Sequence, residues 1–313
     1  LVNSIIGFYN KNRHAIWITI VVIILIFGVI KTLNNSLKNS TKDRSSSTNI
    51  STTTYSNKNY SIISGTDVPK EVASESTEII DNFIKFCNEK EISSAYNLLS
   101  TDCKETLYPT EEEFKNNYVE KIFTTYRLCD KRAWINTDNS YTYSIKITED
   151  LLSTGGNKDD MSIQDYYTIV KENDEYKLNI NNYIGKEEVN KTKKQNGVEI
   201  YIAERKNYID YEIYILKIKN NTQNDILLDS KKNTRTVYLT DIKNQNYVAF
   251  LNELSIDDLT IKSGTMQTVS IKFNKAYNPQ KVVKSINFTN IVLNYQEYLN
   301  NGNNQFAQIE IEI

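Results

Sequence analysis

The residues able to do chemistry in this 313-residue chain are few, and their types exclude most catalytic classes. There is one histidine, His14, at the edge of an apolar run. Without a second imidazole, neither a Ser/His/Asp triad nor a Cys/His dyad can be assembled in the rest of the chain, and an HExxH zinc site is excluded. No S-x-x-K or G-x-S-x-G occurs to activate a serine, and no G-x-G-x-x-G or G-x-x-x-x-G-K-[ST] to cradle a phosphate. Cys87, Cys103 and Cys129 are odd in number and lack C-x-x-C spacing, which indicates neither a disulfide framework nor a zinc site; they read as small core residues. Carboxylates remain. Asp159 and Asp160 sit in a Gly-Gly-Asn-Lys loop without the spacing of a calcium loop, and Glu111, Glu112 and Glu113 fall in a helix first turn, where the macrodipole accounts for them. The expectation is no catalytic residue, no metal and no cofactor. A pocket lined by Tyr126, Tyr143 and Tyr167 is the one candidate ligand site.

Charge narrows the partners. The 37 Lys and Arg and 39 Asp and Glu are interspersed, for a net charge of −2, so no basic stripe exists to neutralise phosphates and nucleic acid is not an expected partner. Heavy use of Asn, Ile, Lys and Tyr beside only 3 Pro and 9 Gly points to an AT-rich, bacterial genome. In so Asn-rich a chain the sequons at Asn49, Asn220 and Asn287 arise by chance, and the 22 Tyr are weak evidence for a binding surface.

The elements that would position these residues begin with an anchor. Residues 15–30, AIWITIVVIILIFGVI, carry no charge, and with Lys31 snorkelling the segment 15–33 reads as a transmembrane helix after a short tail, 1–14. No A-x-A pattern or lipobox cysteine follows, so it reads as an uncleaved signal anchor in a single-pass protein of the plasma membrane. Lys31, Lys38, Lys42 and Arg44 outnumber Lys11 and Arg13, which taken alone would keep the body in the cytoplasm; large domains translocate regardless of flanking charge, and the body is expected outside. Residues 34–71 are dense in Ser, Thr and Asn and read as a flexible linker.

Between 72 and 185 the periodicity changes once. Ile79, Ile80, Phe83, Ile84 and Cys87 form a helical stripe, Ile92, Ala95, Tyr96 and Leu99 a second, and Phe114, Tyr118 and Ile122 a third behind a Thr110/Glu113 capping box. Then the period becomes two. Tyr141, Tyr143, Ile145 and Ile147 alternate as a half-buried strand, and IQDYYTIV and YKLNI form a hairpin about Glu172 to Glu175. Helices followed by an antiparallel sheet make an α+β domain.

This segment resembles the nuclear-transport-factor-2-like superfamily of cone-shaped, cystatin-like folds. The resemblance rests on EISSAYNLLS, TEEEF and the closing hairpin DYYTIVKENDEYKLNI, with Tyr176 before the last strand. It implies a cone with an open sheet face and a pocket at its wide end. That superfamily includes small enzymes as well as non-catalytic modules of membrane-anchored envelope proteins, among them conjugation and type IV secretion assembly factors. The His/Asp pair of its dehydratases has no counterpart here.

The polar run 186–197 reads as a linker, and beyond it, 198–313, the chain reads as all strands: VEIYI, YEIYILKIKN, TVYLTDI, YVAFL, LTIKSG, TVSIKF, INFTNIVL and QIEIEI. That number of short strands predicts an antiparallel sandwich, with a resemblance to immunoglobulin-like modules of bacterial secreted proteins. The expected fold is thus membrane-anchored, an α+β cone-shaped domain followed by an all-β sandwich. The expected function is a non-enzymatic scaffold binding other envelope proteins or wall polymer in a secretion, conjugation or cell-wall machine. A small-ligand sensor or His-independent hydrolase using the cone pocket is the alternative.

Overall fold

The computed structural model describes residues 70–137, 140–150, 162–302 and 306–313. The tail, the expected transmembrane helix 15–33, all but the last two residues of the linker 34–71, and the loop of Asp159 and Asp160 lie outside the described residues. Among the described residues no helix is long and apolar enough to cross a membrane. All of them belong to one compact unit, 57–313.

The chain folds as a mixed α+β structure, helices first and antiparallel sheets after. Helix α1, Lys70–Glu89, buries Ile79, Ile80, Phe83, Ile84 and Cys87, the stripe its spacing predicts. It is followed by α2, Ile92–Asn97, and by α3, Thr101–Leu107, which the reading of the sequence omits. A hydroxyl starts α3: Ser100 Oγ accepts from Cys103 N at 2.8 Å. The capping box forms as expected, with Glu113 N donating to Thr110 Oγ1 and Thr110 N to the Glu113 carboxylate, both at 3.2 Å. From this cap α4, Glu111–Phe114, runs through a π-helical turn, Lys115–Val119, into α5, Glu120–Ile122. Phe114 and Tyr118 stack with centroids 5.7 Å apart and are both buried.

The helices cover one face of a sheet ordered β1-β2-β3-β4, made of β1 (Arg127–Thr137), β2 (Ser140–Glu149), β3 (Ile163–Glu172) and β4 (Glu175–Asn179). Tyr143, Ile145, Ile147, Tyr167, Ile169 and Leu178 close the core against α1. The β3–β4 turn places Asn173 and Asp174 at positive φ, 49° and 67°, the paired left-handed conformation that suits a two-residue hairpin.

The next element corrects the reading of the sequence. Residues 186–197 are expected to be a linker, yet β5 spans Tyr183–Gln195 and pairs antiparallel with β6, Val198–Tyr208. The strand is polar because it is an exposed edge, with only Tyr183 and Ile184 buried, so alternation of apolar residues never marks it. Its turn did carry a signal: Asn196 and Gly197 sit at φ 53° and 75°, and Asn-Gly is the strongest short hairpin dipeptide.

Beyond it come β7 (Glu212–Asn220), β8 (Ile226–Leu227), β9 (Val237–Asp241), β10 (Asn246–Val248), α6 (Ile256–Leu259), β11 (Thr260–Ile261), β12 (Met266–Phe273), β13 (Val283–Ile291), α7 (Tyr295–Asn301) and β14 (Ala307–Glu312). The two short helices correct the expectation that this half is all strands. Asn294 caps α7 by accepting from Glu297 N at 3.1 Å, and Gly302 ends it at φ 65°. Sheets β12-β7-β6-β5 and β10-β9-β13-β14 contribute to one core that includes Ile200, Leu216, Ile271, Leu239, Phe288 and Ile309. Their edges meet on both sides. Phe250 N donates to Lys272 O at 2.8 Å beyond β10, and Gln195 Nε2 donates to Gln308 O at 2.9 Å beside β14. Both sheets are thereby held edge to edge.

Candidate functional site

The three tyrosines expected to line a pocket separate into two environments. Tyr143 and Tyr167 are neighbours across β2 and β3, and neither exposes any surface. Tyr143 Oη shares a 2.7 Å hydrogen bond with Ser76 Oγ, and Tyr167 Oη one of 2.5 Å with Tyr118 Oη. Tyr126, just before β1, is 54% exposed. Tyr143 and Tyr167 are core residues with occupied hydroxyls in this structure, and Tyr126 does not join them.

Beneath Tyr167 lies the buried acid Asp165, which the reading of the sequence passed over although it stands in the inward phase of Ile163, Asp165, Tyr167 and Ile169. Its Oδ1 accepts from Tyr166 N at 2.7 Å and Asn182 N at 2.9 Å, and its Oδ2 from Tyr118 Oη at 3.1 Å and Asn181 N at 3.3 Å. Tyr118 has one proton, and giving it to Asp165 leaves Tyr167 to donate to Tyr118. The relay thus runs Tyr167 to Tyr118 to Asp165. Burial raises the Asp165 carboxyl to about 6, against the hydrogen bonds that favour its anion. Burial also lifts both phenols well above the usual tyrosine range, so near neutrality both hydroxyls keep their protons and Asp165 is the member of the relay that titrates. Its hydrogen bonds go to Asn181 and Asn182, both at positive φ, which makes Asp165 the anchor of the turn leading into β5.

That turn starts the junction between the two halves of the body. Asp102, on α3, accepts from Tyr183 Oη and from Lys186 N, each at 2.9 Å, while Lys186 Nζ reaches Glu105 at 2.8 Å. Ile209 N donates to Asn182 O at 3.0 Å, and Tyr277 N to Ile209 O at 2.9 Å. Tyr208 packs against Tyr183 and Tyr211, with ring centroids 5.1 and 4.4 Å apart. The β6–β7 turn is therefore built into the first core although its strands belong to the second.

Next to it is a charged network, buried at Lys275 and Glu212 and reaching the surface at Glu187. Lys275 Nζ lies 2.5 Å from Glu212 Oε1, their side chains 2% and 1% exposed. Tyr214 Oη donates to Glu212 Oε2 at 3.1 Å, Arg205 pairs with Glu187 at 2.5 Å, and Asn207 Nδ2 donates to the other Glu187 oxygen at 2.7 Å. Burial and then Glu212 raise the Tyr214 phenol, so it remains a donor. The arrangement is a clamp whose charges pair with one another, while Arg205 Nε and Asn207 Oδ1 are buried in it without a hydrogen-bond partner.

The three cysteines are free thiols, Cys87 and Cys103 buried and Cys129 partly so. Burial pushes Cys103 and Cys129 each up to about 12 and Cys87 higher still, which leaves no thiolate to attack or ligate at neutral pH. Among the described residues no cluster of three or more His, Cys, Asp or Glu is arranged to hold a metal ion. The acids of the α4 first turn serve locally, Glu113 in the capping box and Glu111 accepting from Ser93 Oγ at 2.6 Å. No protein-family model matches the chain, and no curated protein is significantly similar to it.

Proposed function

We propose that this protein is a non-enzymatic binding scaffold, held at a bacterial plasma membrane by residues 15–33, whose body meets other envelope proteins or wall polymer outside the cell. On this reading the first half is a cone of the nuclear-transport-factor-2-like kind and the second an immunoglobulin-like sandwich, with no hinge between them. The observation that carries the proposal is the continuity of β5. Its first residues are fixed to the helical half by Asp102, and its remainder pairs with β6 in the other half. A body joined by a strand, a buried turn and the contacts of Lys186 with Asp102 and Glu105 holds its surfaces at fixed relative positions, which suits assembly better than a cleft that must open and close. The alternative of ligand sensing through the cone finds no opening at Tyr143 and Tyr167.

The test is in-cell crosslinking at exposed positions of both halves, such as Leu128 and Ile242, followed by recovery of the full chain in mild detergent. Reproducible adducts with the same partner from both halves are expected. Recovery of the chain alone, with no adduct from either half, would refute the scaffold.

A further inference from the structure

The sheet β10-β9-β13-β14 turns one face to the core and the other outward, and the outward face contains a depression of ≈ 420 Å³ lined by Arg235, Tyr238, Asn246 and Val248. Register explains the grouping. Tyr238 is opposite Val248 and Thr240 opposite Asn246 across β9 and β10, while Asn287 and Ser285 of β13 flank Tyr238 and Thr240 on the other side. The polar side chains of this face are linked in one direction. Asn287 Nδ2 donates to Thr240 Oγ1 at 3.0 Å, and Thr240 Oγ1 donates its one proton to Asn246 Oδ1 at 2.9 Å. The chain of bonds ends by leaving the Asn246 amide nitrogen as a donor beside the depression, polarised by the bonds behind it.

Two further groups there have no partner among the described residues: the exposed Arg235 guanidinium and the Tyr238 hydroxyl. Tyr238 is half-buried on the outward side of β9, in the phase opposite to the buried Val237 and Leu239. Arg235 also holds a left-handed backbone, φ 65°, which a β-carbon disfavours. The depression therefore offers a planar cation, an amide donor and a phenol over an apolar floor of Tyr238 ring and Val248. Glu310 and Glu312 stand two strands away, roughly 10 Å across the sheet, and leave the Arg235 end positive.

We propose that this depression is a binding site for an anionic saccharide. The oxyanion would pair with Arg235, which suits either carboxylate or phosphate bidentately, the ring hydroxyls with Asn246 and Tyr238, and the apolar face of the sugar would lie on Tyr238 and Val248. The inference rests on the reading of the body as an external binding module and names the class of wall component it would take.

Isothermal titration of the full chain in detergent micelles tests it, with N-acetylmuramic acid, N-acetylglucosamine 6-phosphate, neutral N-acetylglucosamine and a tetraglutamate peptide as probes. At least one acidic sugar should bind about tenfold or more tighter than the neutral one, and Arg235→Gln should remove that advantage. Which acidic sugar binds separates a carboxylate source from a phosphate source. Tyr238→Leu should weaken acidic and neutral sugars alike, and Arg132→Gln, on the exposed edge of the other half, should change nothing. Equal affinity for acidic and neutral sugars, an unchanged Arg235→Gln protein, tighter binding of the peptide, or no saturable heat from any sugar would overturn the site. Partner adducts retained by Arg235→Gln alongside lost sugar binding would leave the scaffold standing. Sugar binding without any partner adduct would remove the scaffold and keep the site.

Discussion

Replacing Lys275 by Met deletes the ammonium from the most deeply buried ion pair among the described residues and nearly preserves volume. The Glu212 carboxylate, 1% exposed, would keep one neutral donor, Tyr214 Oη at 3.1 Å, with the Arg205 charge next in line. An unpaired buried charge costs about 3–5 kcal/mol, which is roughly a fifth or more of a typical domain's stability of about 5–15 kcal/mol. The companion Glu212→Gln leaves the Lys275 ammonium buried against an amide oxygen and should cost a similar amount. The double variant removes both charges while keeping the Tyr214 hydrogen bond, and should come back to within about 1–2 kcal/mol of wild type because the desolvation penalty leaves with the charges. Urea unfolding of the four proteins, followed by far-ultraviolet circular dichroism at one pH and salt concentration, gives the double-mutant cycle. A Lys275→Met cost below about 1 kcal/mol, or a double variant as unstable as the sum of the singles, would refute the clamp.

Asp165 predicts an unusual pH response. Its carboxyl is raised from 3.8 to about 6 in the fold, so between those values the native state holds more protons than the unfolded chain, and this group's contribution to stability is greatest at low pH and lost as pH rises through about 6. Relative to Asp165→Asn, the wild type should gain stability on going from neutral pH to about pH 4, by an amount on the order of 3 kcal/mol at most; urea midpoints that move in parallel would contradict it. At Gly197, φ 75°, a β-carbon would sit 2.7 Å from Thr222 Cγ2, whereas at Gly264, φ 69°, it meets open space. Gly197→Ala should therefore cost about 1 kcal/mol more than Gly264→Ala in thermal unfolding, and equal costs would mean that the hairpin shifts to relieve the contact. Native protein should leave Cys87 and Cys103 unmodified by maleimide while Cys129 reacts slowly, all three reacting in urea; fast labelling of Cys87 would deny the packing of α1.

The sequence by itself determined the elements whose cause is local. The α1 stripe, the Thr110/Glu113 box and the alternation of β2 and β3 follow from periods of 3.6 and 2.0 and from one capping bond, and each forms where the residues say. Asp165 belongs with them in principle, since a carboxylate in the inward phase of an apolar strand is visible without coordinates. Beyond the Asn196-Gly197 turn, tertiary structure decided β5, because a polar edge strand draws its stability from backbone bonds to β6 and shows no apolar rhythm of its own. It also decided the pairing of Glu212 with Lys275, which are 63 residues apart, and turned the expected linker into the join between the two halves. A side chain's type states which partners it needs when buried; only the packing of distant strands states which partner it finds and whether it is buried at all.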